Sequence, residues 1–172
     1  MLRSARFPAI FSLLCLSLPA TGSAAAAPAS PPAQSQVLVL KPLILERIAD
    51  MDFATLGVTT GGTATIDPIS GAMTVNGGLI HVGGTPSPAR FAGAASKKSV
   101  VNIRVPKQPV LLRRVGGTET LSVTNFTLDG QDKKNLAEQE SFIFAVGAQI
   151  TVPAGTVEGV YEGEIDITVH YP

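Results

Sequence analysis

The chain has 172 residues, with 13 lysines and arginines against 13 acidic residues, one cysteine and no tryptophan. This length suits one domain with an ordinary apolar core. Because no basic excess is available to hold a phosphate backbone, the charge balance argues against nucleic-acid binding.

The first 26 residues contain the three parts of a cleavable export signal. Arg3 and Arg6 form a basic start, residues 7–18 are apolar, and a serine and four alanines fill positions 23–27. An apolar stretch of about 12 residues is too short to cross a bilayer, which takes about 20. We therefore predict a signal peptide over residues 1–26 and export to the periplasm, the outer cell surface or the medium.

Removal of this signal changes the composition that matters for the mature protein. The basic residues lose Arg3 and Arg6 while the acids lose none, so the net charge becomes about −2. Cys15 leaves with the signal, so the core has to stabilise the fold without disulfides, although the chain enters a compartment where they can form. No second apolar run is long enough to span a membrane, and we expect no integral membrane segment after cleavage.

The mature chain begins with a leader and an apolar run. Residues 27–36 are rich in proline and alanine and predict a flexible or extended leader. The run 37–45, Val-Leu-Val-Leu-Lys-Pro-Leu-Ile-Leu, is apolar on both faces, as in a strand covered on both sides. Pro42 within it requires a kink, a bulge or an edge position. We take residues 37–172 as one β-sandwich domain.

Short runs between turn signals fill the middle of the chain. The runs 63–66 and 72–75 flank the sequence Asp-Pro-Ile-Ser-Gly, which predicts a hairpin. Every second residue is apolar through 100–105 and through 142–152, which predicts two strands with one buried face each. The segment 129–140 is the one place where we expect a helical turn or a mobile loop.

The clearest strand pattern covers residues 157–171. Its odd positions read Val, Gly, Tyr, Gly, Ile, Ile, Val and Tyr, and its even positions place four acids on the opposite face. The exposed edge of such a strand can pair with a strand of a partner, although any last strand of a sandwich can have this pattern without such a role. The candidate assembly edge consists of Gly159, Tyr161, Ile165, Ile167, Val169 and Tyr171. The candidate donor segment consists of Val37, Val39, Leu43 and Leu45.

The sequence has no pattern typical of catalysis or metal binding. His81 and His170 have no second histidine or cysteine at ligand spacing, so we expect no metal and no cofactor. A Ser-His-Asp arrangement stays open, since its members need not be near in the chain, but no nucleophile elbow is present and we predict no catalytic residue. The four acids, Glu158, Glu162, Glu164 and Asp166, are interpreted as a solvated face that limits aggregation.

Three pieces of the chain together resemble a known family. They are Asp-Phe-Ala-Thr-Leu-Gly at 52–57, Ser-Pro-Ala-Arg-Phe at 87–91, and an ending with Gly-Val-Tyr-Glu-Gly at 159–163 and Val-His-Tyr at 169–171. The chain resembles the bacterial domain-of-unknown-function family 4402, which consists of small secreted proteins of Gram-negative bacteria. The likeness covers nearly all of the mature chain. The family usually has glycine at the position of Ala54.

A more distant likeness is to chaperone–usher pilus subunits and spore-coat-U-type proteins. Pilins end on a strand with a penultimate tyrosine and a glycine at a fixed distance before it, where this chain has Tyr171 and Gly159. The likeness implies an all-β fold, specifically an immunoglobulin-like (pilin-like) antiparallel β-sandwich. The disulfide common in pilins is absent. The leader is too rich in proline for a donor strand, so the donor segment would begin at Val37.

From these observations we expect a non-enzymatic structural or adhesive protein of the bacterial cell surface or periplasm. Assembly by strand exchange, with another copy or with a periplasmic chaperone as partner, is the mode that the terminal strand suggests. The alternative is a monomeric periplasmic or extracellular module that binds a glycan or a peptide in its loops. The low number of aromatic residues speaks against stacking on a glycan.

Overall fold

A computed structural model of the chain describes residues 34–172, and its regular structure is entirely β. By its contacts the chain divides after Val37, and all strands belong to the second unit, Leu38–Pro172. The strands are β1 Ile44–Ala49, β2 Thr55–Ile66, β3 Met73–Gly83, β4 Ala89–Ala94, β5 Val100–Arg104, β6 Val110–Arg114, β7 Thr120–Leu128, β8 Lys133–Asn135, β9 Ser141–Val152, β10 Tyr161–Glu162 and β11 Thr168–His170. All the strand pairings are antiparallel, which confirms the predicted all-β antiparallel class.

The strands form two sheets. The larger sheet has eight strands, of which β1, β4, β9, β7, β6 and β10 are neighbours in that order, while the β2–β3 hairpin joins it through β9. The smaller sheet has three strands in the order β11, β5, β8. β9 organises the larger sheet, since one of its edges pairs with β7 and the other pairs with β4 along its first half and with β2 along its second. This arrangement lets the larger sheet curl.

Two clusters of buried side chains form the core. In the first cluster, Phe91 and Phe144 of the larger sheet stack with ring centroids 5.2 Å apart and pack with β5 of the smaller sheet. The second cluster lies within the curled sheet and includes Leu79, Val123 and Ile150. β9 contributes to both clusters with the six residues whose alternation predicted this strand. They are Phe142, Phe144, Val146, Ala148, Ile150 and Val152, and all are buried.

The predicted hairpin at 63–75 is confirmed, with Ile66 opposite Met73. Its turn is held by Asp67, whose Oδ1 accepts hydrogen bonds from the N–H groups of Ile69 (3.0 Å) and Ser70 (2.7 Å). These bonds, the one from Ser70 above all, lower the pKa of the Asp67 carboxyl. Gly71 leaves the turn with a φ of 71°, a conformation that glycine adopts without a steric cost.

The apolar run 37–45 is not one covered strand, so that expectation was wrong. β1 begins at Ile44, and Val37, Leu38 and Val39 are 83%, 80% and 84% exposed. The reason lies at Pro42, which has no N–H to donate to a ladder and fixes its own φ. The strand therefore starts after the proline, where Ile44 pairs with Ala94 of β4.

The continuous last strand predicted over 157–171 is also not observed. β10 pairs with β6 in the larger sheet, β11 pairs with β5 in the smaller sheet, and residues 163–167 cross between them. The predicted alternation of burial survives from Tyr161 onwards, since the apolar odd positions are half-buried whereas Glu162, Glu164 and Asp166 are exposed. The pattern thus predicted the faces correctly but not the pairing partners.

Two further expectations concern the segment 129–140 and the N-terminus. The segment contains the short strand β8 and turns, with no helical turn among its residues.

The predicted signal peptide (1–26) and most of the leader lie outside the described residues. Within residues 34–172 no helix is long and apolar enough to cross a bilayer.

Candidate assembly site

A cleft of about 660 Å³ opens on the second core cluster. One wall is formed by residues 51–58 and the opposite wall by residues 156–161. The floor consists of four apolar side chains, Leu112, Leu121, Ile150 and Val152. Asp52 and Glu158 are the only charged residues among those that line it. The cleft therefore combines an apolar floor with walls that also expose polar groups.

Among residues 34–172, the first half of β2 has no strand partner on the side of this cleft and forms a free strand edge. Thr55–Val58 lies opposite β3 on one side, but β2 pairs with β9 only from Gly62 to Thr65. β9 ends at Val152, so it has no residues left to pair with the first half of β2. Across the cleft, β10 pairs with β6 and with no second strand in the described part of the chain. Two strand edges thus border the same cleft.

The wall at 51–58 is held by the bridge between Asp52 and Ser87. Each donates its N–H to the carbonyl oxygen of the other at 2.9 Å, and the Ser87 hydroxyl donates to the carbonyl of Asp50 at 3.2 Å. The Asp52 carboxylate accepts the N–H of Ala54 at 2.7 Å. Ala54 has a φ of 56°, in the left-handed region where a residue with a Cβ is strained.

The opposite wall is held by β6 and by its own tyrosine. The Tyr161 hydroxyl donates to the carbonyl of Val157 at 2.7 Å, and the N–H of Val115 donates to the carbonyl of Val160 at 2.8 Å. Gly159 has a φ of 151°, and a Cβ there would lie 2.9 Å from the Cδ of Arg114. Only a glycine fits this contact without a shift of the arginine.

Arg114 behind this wall forms an ion pair with Glu119. Its Nε donates to Glu119 Oε2 at 2.7 Å, and both side chains are partly covered. This hydrogen bond is the main cause that lowers the pKa of Glu119 from 4.5 to about 2, and the same bond raises the pKa of Arg114. The pair keeps Arg114 in place against Gly159.

The structure divides the candidate donor segment. Leu43 and Leu45 pack against the first core cluster, and Leu45 pairs with Gly93 within the sheet. Val37 and Val39 are exposed. Between the exposed and the packed parts of the segment, Lys41 anchors the chain. Its N–H donates to the Ser96 hydroxyl at 2.6 Å, and its ammonium group contacts Glu140 at 2.6 Å. Lys41 also lowers the pKa of Glu140 through this hydrogen bond.

The six residues of the candidate assembly edge do not lie on one edge. Gly159 and Tyr161 line the cleft, while Val169 in β11 pairs with Ile103 in the smaller sheet. Ile165 and Ile167 lie in the crossing segment. The sixth, Tyr171, follows β11, and its hydroxyl donates to the carbonyl of Lys41 at 2.9 Å.

Sequence reasoning missed the cleft wall at 51–58 and the cleft floor. The floor side chains come from β6, β7 and β9, which no local pattern places together. The piece 52–57 carries part of the family resemblance, but no pattern within it indicates a place in a cleft. The four acids of the last segment are exposed, and His81 in β3 has its Nε2 3.1 Å from the carbonyl oxygen of Gly83. No cluster of three or more His, Cys, Asp or Glu with metal-binding geometry occurs within residues 34–172.

Comparison with known proteins identifies the family. A model of a domain of unknown function, DUF4402, matches residues 43–171. The chain belongs to the DUF4402 family. Its match covers all eleven strands and begins after the exposed residues Val37–Leu40. No curated protein and no solved structure matches this chain.

The pieces that carried the resemblance to DUF4402 meet in the folded chain. All residues from Asp52 to Gly57 line the cleft, and so do Gly159, Val160 and Tyr161 from the ending. The middle piece adjoins the first through the Asp52–Ser87 bridge. The residues that carry the family resemblance therefore include part of the cleft lining as well as residues of the core.

Proposed function

We propose that this DUF4402 protein is a non-enzymatic structural or adhesive protein of the bacterial cell surface or periplasm, and that it assembles by exchange of an extended segment. The proposal includes export by the signal peptide at 1–26 and a second copy or a periplasmic chaperone as partner. It also includes the finer fold assignment, an immunoglobulin-like, pilin-like sandwich, which is supported by two antiparallel sheets that share the first core cluster.

The observation that carries this proposal is the exposed apolar segment Val37–Leu40. Its first three side chains are each at least 80% exposed. Burying a valine or leucine side chain is worth about 1.5–3 kcal/mol, so leaving three in a row in water is unfavourable. Single exposed apolar residues are common, but a contiguous apolar patch marks an interaction surface. An extended segment of this kind binds best at the open edge of a sheet.

The volume of the cleft favours a second candidate function, a monomeric module that binds a peptide. Its 660 Å³ falls within the roughly 300–1,000 Å³ of typical ligand sites, and its floor is apolar. Only two aromatic residues of the described chain, Tyr161 and Phe53, line the cleft. This small number of rings favours an extended peptide over a stacked sugar ring.

The test replaces Val37–Leu40 by Gly-Ser-Gly-Ser in the full chain expressed with its own N-terminus. Light scattering after size exclusion should detect assemblies for the wild type and monomers for this variant. Replacement of Gln34–Gln36 by Gly-Ser-Gly is the matched control, because it changes a neighbouring polar segment of similar length. Monomeric wild type, or a variant that assembles like the wild type, would contradict strand exchange.

A further inference from the structure

Exchange of a segment requires an acceptor as well as a donor. The cleft between residues 51–58 and 156–161 combines a free strand edge, an apolar floor and sufficient volume. We infer that this cleft accepts residues Val37–Leu40 of a second copy of the chain, as an added strand beside the first half of β2. The inference rests on the proposed function and adds the place of docking to it.

The backbone lengths of donor and acceptor agree. The part of the free edge of β2 that lines the cleft comprises the four residues Thr55–Val58, and the donor also comprises four residues. Four extended residues span about 13 Å, so the donor can pair along the whole edge. In such pairing the main-chain hydrogen bonds provide affinity, and the alternate side chains that enter the cleft provide specificity.

The side chains of the donor suit the cleft in either orientation. In an extended segment Val37 and Val39 point to one side, and Leu38 and Leu40 to the other. Both pairs are apolar, so either can contact the floor. Residues 27–40 contain no charged side chain, so the donor brings no charge into the cleft, and the charged residues of its lining, Asp52 and Glu158, are exposed at its walls.

The anchor at Lys41 determines how the two copies are arranged. Lys41 is bonded to Ser96 and Tyr171 of its own domain, and the donor residues directly precede it. The acceptor cleft must therefore lie within about 13 Å of the anchor, which means that the two domains touch. Since donor and acceptor are different surfaces, each copy can donate to one neighbour and accept from another, as in a ring or an open filament, or two copies can exchange segments reciprocally in a two-fold dimer.

Disulfide cross-linking between single-cysteine variants tests this placement. Cys15 is the one cysteine of the chain, so a Cys15→Ser background contains none. Val39→Cys is mixed with Thr55→Cys or Val58→Cys, and the linked peptides are identified by mass spectrometry. Because a disulfide forms only between Cα atoms about 4.4–6.8 Å apart, we expect a roughly tenfold higher yield for these pairs than for the control pair.

The control pair is Val39→Cys with Val82→Cys. Val82 lies in β3 of the same hairpin and is 63% exposed, but it is outside the cleft lining. Equal yields with Val82→Cys, or no product with either cleft position, would overturn the inference. A double variant, Val39→Cys/Val58→Cys, that closes only within one chain would overturn it as well.

The two proposals fail in different ways. If replacing Val37–Leu40 abolishes assembly while cross-links form at Val82→Cys and not at the cleft positions, strand exchange stands and the cleft is not its acceptor. If the wild type forms no assemblies, strand exchange fails and so does the inference that depends on it.

Discussion

The hydroxyl group of Tyr171 donates a hydrogen bond to the main-chain carbonyl oxygen of Lys41, 2.9 Å away and 130 residues earlier in the chain. The hydroxyl oxygen of Tyr171 itself accepts a hydrogen bond from the N–H of Ser96 at 2.9 Å. The hydroxyl of Ser96 in turn accepts the N–H of Lys41. One phenol thus connects the end of β11, the loop after β4 and the residue before Pro42.

Tyr171→Phe should destabilise the protein, because it removes two hydrogen bonds and keeps the packed ring. At about 0.5–1.5 kcal/mol for each bond, the free energy of unfolding should fall by about 1–3 kcal/mol. Urea denaturation followed by circular dichroism measures this change. Tyr161→Phe removes one bond, to Val157, and is expected to cost about half as much. A Tyr171→Phe protein as stable as the wild type would show that the Tyr171 hydroxyl contributes nothing to the stability.

Ala54→Gly should stabilise the protein. Ala54 has a φ of 56°, and the left-handed conformation costs a non-glycine residue about 1–2 kcal/mol. Glycine relieves this strain but adds about 0.4–1 kcal/mol of conformational entropy to the unfolded chain, which leaves a net stabilisation of about 0–1.6 kcal/mol. Thermal unfolding should therefore shift upwards.

Ala72→Gly is the matched control for this substitution. Ala72 is exposed and is not among the residues with positive φ, so glycine there should lower the stability by about 0.4–1 kcal/mol. Destabilisation by Ala54→Gly of the same size would contradict the strain at Ala54.

Glu119 should make the stability depend on acid pH. Its folded pKa of about 2 lies below the ordinary 4.5, so the folded state favours the ionised form. The Arg114–Glu119 pair thus stabilises the folded state fully above pH 4.5. This stabilisation is lost as the pH falls from 4.5 towards 2. Urea midpoints across this range should decline less steeply for Glu119→Gln than for the wild type.

Glu138→Gln serves as the control for the acid titration. Glu138 contacts Lys98 at 3.3 Å, but the two side chains are 76% and 74% exposed, and such pairs contribute little. This variant should keep the slope of the wild type. An unchanged slope in Glu119→Gln would mean that the Arg114 pair is not the source of the pH dependence.

The sequence predicted what local patterns determine. The hairpin at 63–75 followed from Pro68 and Gly71, because these residues restrict the backbone by their own chemistry. β9 followed from alternation, and the family resemblance was confirmed by the DUF4402 match. Residues 163–167 show what alternation cannot predict. It indicates which side chains face the core, but not whether a second strand lies alongside to pair with the segment.

The cleft could not be predicted in the same way. Its walls, 51–58 and 156–161, are about a hundred residues apart in the chain, and it exists because β9 stops at Val152 before covering the first half of β2. No residue near Thr55 encodes where β9 ends. The exposure of Val37–Val39 was missed for a related reason, since apolar residues alone do not reveal whether a neighbouring strand is available to cover them.

The central place of β9 has a consequence for the order of folding. β2 and β4 are held in the larger sheet through β9, which begins only at Ser141. The sheet therefore cannot close until most of the chain is present, and its pairings span long sequence separations, which slows folding. Under the proposed export, the larger sheet can therefore close only after β9 has crossed the membrane.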